Sequence, residues 1–177
     1  SYTELSVEYL VSEEKHPLEK QATQVVSPQP LPESGFAPLA IQENWPCFRG
    51  PYGHGIAFNQ KPPTEWNGTT GKNILWKTAI PLQGYNSPIV WGNHVFLSGA
   101  DGKKQEIYSF DAKTGQIVWQ KEIKGIPGSP QKIPKVAQDT GYAASTMCTE
   151  GEKVYAIFTT GDIVALTLQG ESVWSKN

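Results

Sequence analysis

The sequence predicts an all-β fold assembled from repeated four-stranded units, and three observations carry that prediction. Apolar and polar residues alternate through residues 45–177, punctuated by glycine turns. Two stretches of the chain align with each other at the spacing of small sheets. The composition, with 17 glycines, 14 prolines, 6 tryptophans and a single methionine, favours short strands and tight turns over long helices.

Residues 1–43 differ from the rest. Pro17, Pro28, Pro30, Pro32 and Pro38 punctuate a polar stretch that includes Glu13, Glu14, Lys15 and Lys20. Proline has no N–H for a sheet ladder and pushes its predecessor into extended geometry, so this segment reads as an extended N-terminal arm. A short helix near residues 3–11 would put Leu5, Tyr9 and Leu10 on one face. The second domain, 44–177, begins where alternation begins.

Residues 73–77, ending Leu75-Trp76-Lys77, look like a copy of an outermost strand with no sheet of its own before it. Residues 85–96 then align with 144–155, with Gly92 and Gly151 in register 59 residues apart. Residues 107–119 align with 163–174, Trp119 and Trp174 being 55 residues apart. Each unit reads as four strands. They are expected near 86–91, 94–99, 106–111 and 116–122 in the first, and 143–149, 153–159, 162–167 and 171–176 in the second. Four strands in a repeat of about 40–50 residues is the pattern of a β-propeller blade. About nine strands are too few to close a ring and leave open edges that invite pairing, so a split or partial propeller needing further blades or a protein partner is expected.

Within the first unit, Asp111, Thr114 and Gly115 form a turn: the carboxylate accepts backbone N–H groups and Gly115 supplies a left-handed residue. The strand that follows delivers Trp119. A repeated indole at this position is expected to dock one blade on the next, which assigns docking roles to Trp76, Trp119 and Trp174 with the turn residues Asp111, Thr114, Gly115 and Gly170.

These residues carry a resemblance. The run from Phe110 to Trp119 resembles the AxDxxTGxxxW repeat of pyrroloquinoline-quinone (PQQ) propellers. Trp45-Pro46-Cys47-Phe48-Arg49-Gly50-Pro51, with Gly53 and Gly55, resembles the WPxFRGPxGxG opening of a bacterial PQQ-like β-propeller family. The second repeat departs from the pattern, with Thr167 in place of Asp and no Thr before Gly170. The resemblance implies a periplasmic or secreted scaffold or interaction propeller, non-catalytic by itself and holding no cofactor. Its alternative implication is part of a quinone-dependent dehydrogenase, with PQQ and calcium in a site that other segments complete. Residues 45–177 contain neither vicinal cysteines nor a run of carboxylates suited to that site.

Other features are weaker. A net charge of −2 without a basic stripe argues against nucleic acid as a partner. No apolar run reaches about 18 residues, so no membrane-spanning helix is expected. The chain opens at Ser1 without a charged-then-apolar leader, which fits a cytoplasmic or a processed protein. Cys47 and Cys148 form no CxxC pair and read as two small buried hydrophobes, with a disulfide as the alternative. His16, His54 and His94 lack partner ligands, and His94 falls beside Asn93 in a hairpin turn. Arg49 is expected to tie the opening segment, with Trp45, Phe48 and Gly50, to a neighbouring blade. Asp101-Gly102-Lys103-Lys104 reads as a plain hairpin turn. The proline- and lysine-rich loop 125–138 is the best candidate for a contact surface.

Overall fold

The computed structural model describes residues 38–58 and 60–177. The expected helix near residues 3–11, His16 and most of the arm lie outside the described residues. Two four-stranded antiparallel sheets make up the fold. The first orders β1 (Ile89–Trp91), β2 (His94–Ala100), β3 (Gln105–Asp111) and β4 (Ile117–Glu122). The second orders β5 (Cys148–Thr149), β6 (Lys153–Ile157), β7 (Ile163–Thr167) and β8 (Ser172–Lys176). Each sheet is a meander of consecutive strands, the connectivity of a propeller blade. Two short helices, α1 (Pro38–Gln42) and a 3-10 turn at Pro51–Gly53, precede the sheets.

All eight expected strands are present, and the innermost strand of each blade is shorter than expected. Residues 85–87 and 143–146 spend their polar groups on each other instead of on their own ladders. The Tyr85 amide donates to Ala143 O at 3.0 Å, and the Ser87 amide donates to Thr146 Oγ1 at 3.0 Å. Asn86 Nδ2 donates to both Ser98 O and Ala143 O at 2.8 Å. Pro88 has no N–H to give. The blades are therefore stitched together where β1 and β5 begin.

The blades repeat even in their irregularities. The β3/β4 ladder shifts register between Ser109 and Phe110, and the β7/β8 ladder shifts between Ala165 and Leu166. These bulges sit at equivalent places and set Trp119 opposite Ser109 and Trp174 opposite Ala165. The core fills the space between the sheets: Ile89, Phe96 and Ile107 of the first blade pack with Met147, Val154 and Leu166 of the second, all nearly inaccessible to water. Strand β3 is buried along its middle five residues because both faces of its blade are covered.

Two expectations need correction. Residues 74–80 form no regular strand, since the sheet that would pair with them is not among the described residues. They still cover the first blade, and the Ala100 amide donates to Gln83 O at 2.8 Å as the segment passes its edge. The expected arm is not extended to its end either, because Pro38–Gln42 is helical. Its proline stands at the first helical position, where the missing N–H costs nothing.

Candidate docking site

Tryptophan seated on glycine is the recurring contact of this molecule. A Cβ added to Gly115 would stand 2.5 Å from the Trp76 ring, and one added to Gly170 would stand 2.9 Å from the Trp119 ring. Trp76 Nε1 donates to Ala112 O and Trp119 Nε1 donates to Leu168 O, each at 2.9 Å. Both acceptors come one residue after the turn's first residue, Asp111 or Thr167. Each indole thus caps the β3–β4-type turn of the following blade, lying on the face that glycine leaves bare. Two further pairs do the same nearer the strand starts: a Cβ on Gly151 would come within 2.3 Å of Trp91, and one on Gly50 within 2.4 Å of Trp45. Four of the six tryptophans are used in this way.

The turns under the indoles are built for the purpose. Asp111 Oδ1 accepts the Lys113 amide at 2.9 Å, the Thr114 amide at 2.8 Å and the Thr114 hydroxyl at 3.0 Å, while Asn93 Nδ2 donates to Oδ2. Led by the Thr114 amide and hydroxyl, these bonds hold its carboxyl below the usual carboxylate range. Gly115, at φ +69°, closes the turn with its amide on Asp111 O at 2.8 Å. In the second blade a hydroxyl replaces the carboxylate. Thr167 Oγ1 accepts only the Glu171 amide at 3.1 Å, yet the Gly170 amide still reaches Thr167 O at 3.0 Å, so the turn survives.

The opening segment slots between the blades. Trp45 and Val90 exchange backbone bonds at 2.9 and 2.8 Å as an antiparallel bridge, and the Thr149 amide donates to Pro46 O at 2.9 Å. Asn44 Oδ1 accepts the Gly92 amide at 2.6 Å. Trp45 bridges Val90 with its ring over Gly50 of the same segment, while Phe48 and Arg49 are exposed. The Arg49 guanidinium lies over Gly55 of its own loop, and its backbone takes φ +63°.

A second inter-blade tie escaped sequence reading. Asp162, 2% exposed, accepts from Ser129 Oγ at 2.5 Å and Asn177 Nδ2 at 2.8 Å through Oδ1, and from Gln105 Nε2 and Thr160 Oγ1 at 2.8 Å through Oδ2. Burial alone would raise its pKa. The four donors outweigh burial and lower it. Its donors come from four separate parts of the chain, which no local motif announces.

The remaining candidates fall as follows. His94 is not in a turn: it starts β2, with Nδ1 3.0 Å from Ser109 Oγ and its ring stacked on Phe96. His54 is exposed beside Tyr52. Asp101 does make the expected hairpin, its Oδ1 accepting the Lys103 and Lys104 amides at 2.7 and 2.8 Å. The cysteines are not buried as expected, Cys47 being half-buried and Cys148 exposed, both as free thiols. Loop 125–138 contributes Val136, Ala137 and Gln138 to a cleft of about 400 Å³ shared with Leu82, Tyr85 and Tyr142. Among the described residues no group of three or more His, Cys, Asp and Glu could hold a metal ion. The Asp111 oxygens are already taken up by the turn. The repeat residues thus do not fit a quinone and calcium site. No helix among the described residues is long and apolar enough to cross a membrane.

Blades that dock through indole on glycine define this molecule as part of a PQQ-like β-propeller. A family model described as outer membrane protein assembly factor BamB matches residues 63–177, and the chain belongs to that family. Among solved structures, the crystal structure of BamB from Moraxella catarrhalis is similar at 19% identity and a TM-score of 0.42, over 58% of this chain and 26% of that one. The chain therefore spans about a quarter of the length of that relative. No curated protein matches it.

Proposed function

We propose that these blades belong to an extracytoplasmic propeller whose work is protein interaction, and that β8 is a docking edge. The supporting observation is the contrast among equivalent tryptophans. Trp76 and Trp119 are half-buried, each with its indole N–H on a turn carbonyl of the following blade. Trp174 occupies the same position in its blade, is 44% exposed, and packs its ring near that of Tyr155, 6.2 Å away. All five residues of β8 are exposed. Among the described residues no strand pairs with the outer edge of β8, so it can offer its backbone groups and the Trp174 indole to a turn of matching chemistry: a glycine with a carbonyl two or three residues before it. Membership of a family described as an outer membrane assembly factor supports placing the interaction outside the cytoplasm.

The reading assigns no cofactor to these residues. The test is a mass measurement on the native assembly, combined with calcium and quinone content. Further blades or another polypeptide held at β8, without quinone, is the expected result. Stoichiometric quinone and calcium would instead favour a dehydrogenase.

A further inference from the structure

Cys47 and Cys148 lie about a hundred residues apart in sequence, and the fold brings the bend after Trp45 beside β5, where the Thr149 amide donates to Pro46 O. Their relative direction follows from printed contacts on three segments. Tyr85 meets Ala143, Ser87 meets Thr146 and Trp91 lies on Gly151, so residues 85–91 and 143–151 run parallel. Trp45 is antiparallel to Val90, hence the opening segment is antiparallel to residues 143–151 as well. The Thr149 amide on Pro46 O then fixes the register. One residue further along each of these antiparallel segments, the bend at Cys47 comes up against Cys148 at the start of β5.

Burial agrees with this register. Directly opposed residues share a face of a sheet, and here Pro46 and Thr149 are both buried while Cys47 is half-buried and Cys148 exposed. Directly opposed residues of antiparallel strands have Cα atoms about 4.5–5.5 Å apart. A disulfide needs about 4.4–6.8 Å. The two thiols also sense each other: desolvation first, and then the neighbouring Cys47, raise the pKa of Cys148.

We propose that Cys47 and Cys148 form an intramolecular cross-strand disulfide that staples the opening segment to the second blade. The oxidant is a disulfide, of a protein thiol oxidase or of glutathione. The exposed Cys148 thiolate attacks one sulfur of that disulfide, expelling a thiolate and leaving a mixed disulfide. Cys47 then gives up its S–H···O contact with Gly50 O, 3.1 Å long, loses its proton and attacks the Cys148 sulfur, expelling the second thiolate. Two thiols are oxidised and one disulfide is reduced to two thiols. The raised pKa of Cys148 makes the first step slow near neutral pH unless an oxidase catalyses it. In the cell the pairing rests on the extracytoplasmic reading for its supply of oxidant, but the geometry does not.

The experiment equilibrates the purified, folded 177-residue chain with oxidised and reduced glutathione, quenches with an alkylating reagent, and maps peptides without reduction. A Cys47–Cys148 cross-linked peptide, with the intact chain lighter by two hydrogens, is expected. Its formation should be favoured in the folded over the denatured chain by more than about tenfold, and it should raise the melting midpoint by about 5–15 °C. Cys47→Ser and Cys148→Ser, which keep their folds under reductant, should each abolish both effects. Two alkylated thiols after full equilibration, glutathione adducts alone, or only cross-links between chains would overturn the pairing. None of these outcomes depends on whether β8 binds a protein.

Discussion

Substituting Gly115 by alanine would put a methyl group 2.5 Å from the Trp76 ring at a residue whose φ is +69°. Both the clash and the left-handed backbone resist it, and the expected cost is about 2–4 kcal/mol, measured by denaturant unfolding. Trp119→Ala removes the partner on the other side of such a contact. It empties the face of Gly170 and leaves Leu168 O without its indole donor, for an expected loss of about 2–4 kcal/mol. A loss within about 0.5 kcal/mol, ordinary for surface positions, would show that the indole is no docking residue. Asp162 supplies a pH test. Its carboxyl is lowered in the folded chain, so the stability it contributes is present above the unfolded value of about 4 and is lost as pH falls through the depressed folded value. Asp162→Asn should therefore flatten the acid limb of the stability curve below about pH 4 relative to the parent chain, and an unchanged limb would remove Asp162 from the account.

At the scale of elements, the turn chemistry and the outer strands were legible because they are local. Asp111, Thr114 and Gly115 sit within five residues of one another, and the alternation after them marks β4 and the position of Trp119. The innermost strands were overdrawn because residues 85–87 and 143–146 bond across the blade interface, which alternation alone cannot distinguish from bonding within a ladder. The seats under Trp45 and Trp91 were missed for a related reason. Gly50 and Gly151 are ordinary turn glycines in sequence, and only the folding of the chain brings the Trp45 ring back over Gly50 and the Trp91 ring onto Gly151. Strand β8 yields a prediction of its own: since Trp174 is 44% exposed, Trp174→Ala should change the stability of this chain by much less than Trp119→Ala does while weakening whatever association β8 supports. Equal losses of stability in the two variants would mean that Trp174 is already docked.

For the whole molecule, the consequence is an asymmetry between its two ends. The first blade is covered by residues 74–83 and capped by Trp76, and the opening segment is bonded into the gap between β1 and β5. The second blade is covered on the side facing the first, and among the described residues no strand pairs with the outer edge of β8. A propeller grows by repeating one interface, so whatever covers β8, a further blade or a partner, is expected to present the turn chemistry already visible in the covered interfaces. The most direct measurement is sedimentation of the 177-residue chain and its Trp174→Ala variant at low micromolar concentration. The parent chain should sediment as a species heavier than the 19.5 kDa chain, or together with a polypeptide bearing a blade turn, and the variant should revert towards the single chain. A compact 19.5 kDa monomer with a cooperative unfolding transition, unaffected by Trp174→Ala, would contradict the claim that β8 is a docking edge.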